Sequence, residues 1–330
     1  MAQSQDQSLV KLKSGTRVCV AASFALLLTS CGGGGGSESP PAQAVTVSPP
    51  PTQGTGTGTA VTPPAPPSYA SAFDFSADRQ FTGPFAEVTM TEKFDANSPN
   101  SYVFDSTRKL IAEGSQSGSL DYRAGQKSLT ITAGGTTTTF PREAIAQSPA
   151  GLLLNYAQST DGLLSKFTLG QPKPEFSYLT ANRMTVANSV ASDTERFFLF
   201  GSETLGSDLP SSGSFTYAAT AQTSAPFYLA PSGLDLKGDL KLDHASRAIS
   251  GTLLASPVDG VAGTTPQMNL TFSGTISSGV ARGSITSSDG AFTGTFVGRL
   301  YGPQGAEVGL VFTVTRGEWS IAGLVTARKG

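Results

Sequence analysis

Several residue types are scarce in this chain of 330 residues, and each scarcity excludes a class of protein. Charged residues make up 14% of the positions, and the 22 basic side chains do not outnumber the 24 acidic ones. Binding to nucleic acid or to an anionic lipid surface depends on a basic surplus, so neither function is indicated. One histidine cannot build a histidine-rich metal site. We therefore expect no nucleic-acid partner, no metal and no cofactor.

The N-terminus carries the pattern of an export signal. Lys11, Lys13 and Arg17 precede a largely apolar run over residues 18–28. A helix of that length rises only about 16 Å, whereas the hydrocarbon core of a bilayer is about 30 Å thick. The pattern therefore predicts a signal peptide over residues 1–30 rather than a membrane span.

Cysteine occurs at two positions only, Cys19 and Cys31. The segment Leu28-Thr29-Ser30-Cys31 resembles the lipobox of bacterial lipoproteins, in which the cysteine accepts diacylglycerol and becomes the mature N-terminus. The resemblance implies lipidation of Cys31, with a further acyl chain such as palmitate, and Gly32 in the next position is typical of export to the outer membrane. The alternative is an ordinary thiol after a conventional cleavage site. Cys19 would leave with the signal, so the mature chain would have no cysteine pair.

Residues 31–68 are rich in glycine and proline, including a run of five glycines at 32–36 and a Gly-Thr repeat at 54–59. Such a composition cannot bury enough apolar surface to fold. We predict a disordered, lipidated tether, which would span on the order of 100 Å at most when extended.

From residue 69 onward the sequence has the period-two alternation of β-strands. The clearest case is Gly233–Asp243, where leucines on one face alternate with aspartates and lysines on the other. Short turns such as Ser288-Asp289-Gly290 and Arg316-Gly317 connect similar segments, which indicates antiparallel neighbours. We predict an all-β protein with an antiparallel eight-stranded β-barrel over residues 196–330. A less regular, strand-rich handle domain is predicted over 69–195.

Glycines recur in the apolar rows of these strands, at Gly238, Gly251, Gly274, Gly294, Gly298 and Gly323. Glycine weakens a strand unless another group approaches closely, and tightly coiled sheets create such approaches. This pattern favours a closed barrel filled by side chains over an open sandwich. A transmembrane porin is the other alternative, but its strands alternate apolar-out with polar-in between aromatic girdles, and an acyl anchor would be redundant for it.

The segment Gly294–Phe312 resembles the closing hairpin of the lipoprotein β-barrel domain of bacterial transferrin-binding protein B. The matching residues are Tyr301-Gly302-Pro303 and, after a few small residues, Ala306-Glu307; a second similar stretch covers Phe200–Tyr217. The resemblance implies one lobe, made of the handle and the barrel. Pro303 fixes φ and forces a turn, and we expect Glu307 to bind the backbone donors of that turn. The four residues Tyr301, Gly302, Pro303 and Glu307 are thus predicted to be structural.

The resemblance also implies a binding function rather than catalysis. We expect an accessory in iron or haem acquisition at the outer membrane, with an iron-loaded protein, a haem compound or an iron chelate as ligand and a TonB-dependent receptor as a candidate partner. The ligand-binding residues are not identified by any motif. His244 follows the Gly233–Asp243 strand and is predicted to be an exposed turn residue, so no catalytic residue is assigned. The alternatives are a structural or adhesive surface lipoprotein and a hydrolase that uses carboxylates alone.

Overall fold

The computed structural model describes residues 67–94, 102–111, 117–146, 153–160, 162–170, 173–188, 192–224, 234–257, 269–317 and 319–330. The signal peptide, Cys31 and nearly all of the predicted tether lie outside these residues. The described part confirms the all-β prediction: besides strands it contains 3₁₀ turns at Arg142–Ala144, Gly206–Asp208 and Pro303–Gly305. No helix in the described ranges is long and apolar enough to cross a membrane.

The first eleven strands form two sheets that pack face to face, and we call this unit the handle sandwich. One sheet has four strands in the order β1-β4-β5-β6, and the other has seven in the order β3-β2-β11-β10-β9-β8-β7. The strands are β1 Arg79–Gly83, β2 Phe85–Phe94, β3 Tyr102–Ile111, β4 Gly118–Arg123, β5 Ser128–Ala133, β6 Thr136–Phe140, β7 Ile145–Ala146, β8 Leu153–Thr160, β9 Leu163–Gly170, β10 Leu179–Asn188 and β11 Ser192–Gly201.

The core of the handle sandwich is aromatic. Phe140, Phe167, Phe198 and Phe200 are fully buried between the two sheets, and the rings of Phe198 and Phe200 stack with centroids 5.6 Å apart. Leucine and isoleucine side chains of the four-stranded sheet complete the cluster. The apolar segments at 85–91, 119–123, 128–133, 152–156, 166–169 and 176–180 predict strands, and they coincide with β2, β4, β5 and parts of β8 to β10. The sequence did not identify β1, β3, β6 or β7.

The last eight strands form a closed antiparallel barrel, as predicted. Each strand pairs with its successor, and β19 closes the barrel against β12 with a register from Tyr217↔Lys329 to Thr223↔Gly323. The strands are β12 Ser214–Thr223, β13 Leu234–Asp243, β14 Ala248–Pro257, β15 Asn269–Ser277, β16 Val280–Ser287, β17 Thr293–Tyr301, β18 Glu307–Arg316 and β19 Trp319–Lys329.

Side chains fill the barrel interior. Leu240, Phe272, Phe296 and Phe312 are among the buried residues of this core, and the Phe272 ring lies 5.6 Å from that of Phe296 and 6.0 Å from that of Phe312. The aromatic and aliphatic rows predicted from the alternation point inward, while Lys237, Asp239 and Lys241 are exposed on the outer face of β13.

Glycines in the apolar rows lie where a neighbouring strand or side chain leaves no room for a Cβ atom. At Gly298, a Cβ atom would collide with the carbonyl oxygen of Gly309 on the adjacent strand β18. At Gly323, the Phe312 ring occupies the space that a Cβ would need. Close approach therefore accounts for glycine in these strands, as the sequence predicted.

A third apolar cluster joins the handle sandwich to the outer wall of the barrel. Phe197 and Leu199 of β11 pack with Val311 of β18 and Leu324 of β19, and all four are at most 1% exposed. Gly309 belongs to the same contact, because a Cβ there would lie 3.0 Å from Leu199 and 3.1 Å from Leu179. The barrel strands β17 to β19 are consequently buried on both faces where the handle covers them.

The division expected between residues 195 and 196 falls inside β11. Every residue of β11 pairs with β10, and its first seven also pair with β2, so the whole strand belongs to the handle sandwich. The barrel begins at Ser214, after the segment 202–213 that links the two parts. Residues 197–201 therefore lie outside the barrel, and residues 197–200 are buried because both faces of the seven-stranded sheet are covered there.

Candidate functional site: the handle–barrel junction

The predicted hairpin motif lies where the barrel, the handle sandwich and the N-terminal described residues meet. We define the junction as residues 69–72, 176–178, 202–208 and 301–307. Tyr301 ends β17, Gly302 turns the chain with φ at 72°, and Pro303 begins the 3₁₀ turn. The motif therefore forms the turn that its sequence predicted.

Gly302 is required by its surroundings as well as by its backbone conformation. A Cβ at this position would overlap the ring of Tyr178 from the handle. The Gly302 amide donates to the Ser202 carbonyl at 2.9 Å, and the Thr204 hydroxyl donates to the Gly302 carbonyl at 2.7 Å. The hairpin is thus bound to the linking segment through both backbone polar groups of Gly302.

Glu307 does not bind the backbone donors of its own turn, so that expectation was wrong. Its carboxylate accepts hydrogen bonds from the amides of Ser177 at 2.7 Å and Tyr178 at 3.0 Å, both in the handle. The side chain is 1% exposed. Burial raises the pKa of Glu307, and the two amide donors oppose that rise in part. Glu307 therefore links the barrel to the handle by hydrogen bonds and does not stabilise its own hairpin turn.

Tyr301 is buried beside this contact. It is 1% exposed, and burial together with the nearby Glu203 carboxylate raises the pKa of its phenol. Glu203 in turn accepts a hydrogen bond from Arg299 at 2.6 Å. Because it belongs to the apolar cluster that joins the handle to the barrel, Tyr301 acts as a packing residue of the interface.

The first described residues join the same junction. The Tyr69 hydroxyl donates to the Asp208 carboxylate at 2.9 Å and accepts from the Leu205 amide at 3.0 Å. Asp208 also accepts from the Gln304 amide in the hairpin, at 2.9 Å. One carboxylate thus links the start of the folded body to the hairpin. The hydroxyl of Ser202 adds a bond to the Ala70 carbonyl at 2.6 Å.

The structure brings Tyr301, Gly302, Pro303 and Glu307 together at the junction, where Tyr301, Gly302 and Glu307 are buried and Pro303 is exposed. Sequence reasoning did not identify their partners Tyr69, Tyr178 and Asp208, because these contacts join residues roughly 100 or more positions apart and no local pattern records them. Cys31, the predicted lipidation site, lies outside the described residues.

His244 is buried, whereas sequence analysis predicted an exposed turn residue. It is 9% exposed and lies with its ring 5.6 Å from that of Phe215, in an edge-to-face arrangement. Its neighbour Asp243 accepts from the amides of Ala245 and Ser246, both at 3.0 Å, and so shapes the β13–β14 turn. Within the described part of the chain, no three His, Cys, Asp or Glu side chains are grouped so that they could hold a metal ion.

Comparison with known proteins gives matches among solved structures. No protein-family model matches the sequence, and no curated protein matches it. A surface lipoprotein is similar over 74% of this chain and 98% of its own, with 13% identity and a TM-score of 0.41. Transferrin-binding protein B of serogroup B Neisseria meningitidis is similar over 77% of both chains, with 12% identity and a TM-score of 0.37. A Trp-to-Ala mutant of transferrin-binding protein B from Haemophilus parasuis is similar over 76% of both chains, with 12% identity and a TM-score of 0.38. The last two carry the name of the family that the Tyr301–Glu307 hairpin resembles.

Proposed function

We propose that the chain is a lipid-anchored binding protein of the bacterial outer membrane. In this proposal residues 1–30 are removed as a signal peptide, Cys31 carries the lipid, and residues 31–68 connect it to the folded body. The lipobox-like segment and the glycine- and proline-rich composition after it support this arrangement. The two acyl chains of a diacylglycerol hold a protein in a membrane far more firmly than one chain does.

We further propose that the body serves as an accessory in iron or haem acquisition. The hairpin resemblance supports this assignment. The barrel interior is filled by buried side chains such as Tyr217, Phe272 and Phe312, which restricts where a ligand can bind. A ligand of haem size would therefore bind on an outer surface. An iron-loaded protein suits such a surface best, with a TonB-dependent receptor as the partner that takes up the iron.

The anchor is tested by comparing two cysteine substitutions in the full chain. Cys31→Ser should move the protein from the membrane fraction to the soluble fraction and abolish incorporation of labelled palmitate. Cys19→Ser is the matched control, because that cysteine lies within the predicted signal, and it should leave both readouts unchanged. Membrane association of Cys31→Ser equal to that of the unsubstituted chain would contradict the proposed anchor.

The ligand is tested with the purified lipoprotein in detergent. Hemin, a ferric chelate and an iron-loaded transferrin-type protein would each be titrated, with absorbance for hemin and calorimetry for the other two. Saturable binding of at least one iron compound is expected, with the iron-loaded protein preferred over its iron-free form. Absence of binding to all three would favour a structural or adhesive surface lipoprotein instead.

A further inference from the structure

A cavity of about 280 Å³ opens at the end of the barrel that carries the β13–β14 and β15–β16 turns. It lies between these two turns and the segment that links the handle to the barrel. Ligand sites for drug-sized molecules have volumes of about 300–1,000 Å³, so this cavity suits a smaller molecule. Its lining includes Leu209, His244, Arg247 and Ile276.

The lining combines one cation with no acidic side chain. Arg247 is exposed in the β13–β14 turn, and within the described part of the chain its guanidinium has neither an ion-pair nor a hydrogen-bond partner. Leu209 and Ile276 supply apolar contact. An unpaired guanidinium beside apolar surface is suited to an oxygen-acid anion with a small carbon skeleton, because guanidinium groups bind carboxylate and phosphate oxygens through paired hydrogen bonds.

His244 contributes the second observation. It lines the cavity, and its Nε2 is buried without a hydrogen-bond partner among the described residues. Buried polar atoms in native proteins are nearly always hydrogen-bonded, so an unpaired one requires an explanation. Burial lowers the pKa of His244, Lys329 lowers it further, and Asp243 opposes both effects. The imidazole is therefore neutral at pH 7 and retains one N–H group.

We propose that this cavity binds a small organic or inorganic oxyanion, a carboxylate or a phosphate, between Arg247 and His244. Arg247 supplies the countercharge, and Leu209 and Ile276 pack against the remainder of the ligand. A rotation of the His244 imidazole brings its unused, buried Nε2 group into the cavity, where it completes the hydrogen bonds to the anion. The proposal does not depend on a function in iron or haem acquisition.

The test uses the single histidine of the chain as its reporter. The full chain, labelled with ¹⁵N-histidine, gives one imidazole spin system by nuclear magnetic resonance. Inorganic phosphate and succinate would be titrated separately, and sodium chloride would keep the ionic strength constant. We expect a saturable shift of the His244 ring nitrogens with at least one of the two anions. The anion that saturates first identifies phosphate or carboxylate as the preferred group.

Arg247→Gln should weaken this binding at least tenfold. Lys127→Gln is a matched control. Lys127 and Arg247 are both exposed cations in hairpin turns, and each directly precedes a strand. Both have a positive φ, 50° at Lys127 and 55° at Arg247. Lys127 lies in the handle sandwich, and its loss should leave the affinity unchanged. The unfolding midpoint of each variant establishes that it is folded. Absence of a saturable shift with either anion, or equal weakening by both substitutions, would overturn the proposal.

Discussion

The barrel and the handle sandwich are both built from antiparallel strands, but they connect these strands differently. In the barrel each strand pairs with the strand before it, and β12 pairs with β19 to close the ring. In the handle, β2 pairs with β11 and a contact such as Thr89–Thr194 spans 105 residues. Local sequence patterns therefore describe the barrel well and the handle poorly, because the central pairing of the handle joins segments that are far apart in the chain.

Removing a large core side chain is the strongest test of whether these two parts are independent. Phe312→Ala in the barrel and Phe198→Ala in the handle should each reduce the free energy of unfolding by about 3–5 kcal/mol. Because Phe197, Leu199, Val311 and Leu324 bury a shared contact, we expect each substitution to shift one common transition.

The two probes for that experiment differ in what they observe. Trp319, the only tryptophan, is on barrel strand β19, so its fluorescence follows the barrel, while far-ultraviolet circular dichroism follows both parts. Coincident denaturant curves are the expected result. Two separate transitions would show that the handle and the barrel unfold independently, and this would contradict the expectation that the shared interface couples them.

Glycine provides the next comparison. Gly298→Ala should destabilise the barrel by about 3 kcal/mol, at the upper end of the range for overpacking, since the added Cβ meets the backbone of β18 rather than a movable side chain. Gly125→Ala, in a handle turn where a Cβ would meet nothing within 4 Å, is the control and should change stability little. Equal unfolding midpoints for the two variants would refute the close-approach explanation.

Substitution of Glu307 tests how strongly its hydrogen bonds attach the barrel to the handle. Glu307→Ala leaves the amides of Ser177 and Tyr178 without their acceptor and should cost about 2 kcal/mol. Glu175→Ala removes an exposed carboxylate from the same handle loop and serves as the control. Chemical denaturation measures both variants, and a loss no larger for Glu307→Ala than for Glu175→Ala would argue against the junction as a stabilising contact.

The smallest expected effect is a pH dependence at the same residue. Burial raises the pKa of Glu307 above its ordinary value of 4.5. The folded protein then holds a proton in a pH range where the unfolded chain has released it. The stabilisation that this provides is complete below about pH 4.5 and is lost as the pH rises through the raised pKa. Compared with Glu307→Gln, the unsubstituted chain should therefore gain relative stability as the pH falls from 7 to 4.5. A stability difference between the two proteins that stays constant over this pH range, or that decreases as the pH falls, would contradict a raised pKa at Glu307.

The alternation in β13 and the short turns around Asp289 and Gly317 predicted antiparallel strands, whereas the closed barrel was predicted from the glycines in the apolar rows together with the hairpin resemblance. Val308, Leu310, Phe312 and Val314 of β18 form an inward-facing apolar row of the kind that period-two alternation predicts. No local pattern records what covers Val311 on the outer face of the same strand. That cover is Phe197 and Leu199 of β11. Likewise, the sequence predicted that Glu307 lies in the hairpin, but it did not predict the residues of the handle to which Glu307 binds.

The function proposed for this body depends on its attachment to a membrane through Cys31. Mass spectrometry of the protein extracted from membranes tests this claim most directly. We expect a mature N-terminus at Cys31 that carries diacylglycerol on the thiol and an acyl chain on the amine. A chain that retains residues 1–30, or one whose Cys31 thiol is unmodified, would contradict the account.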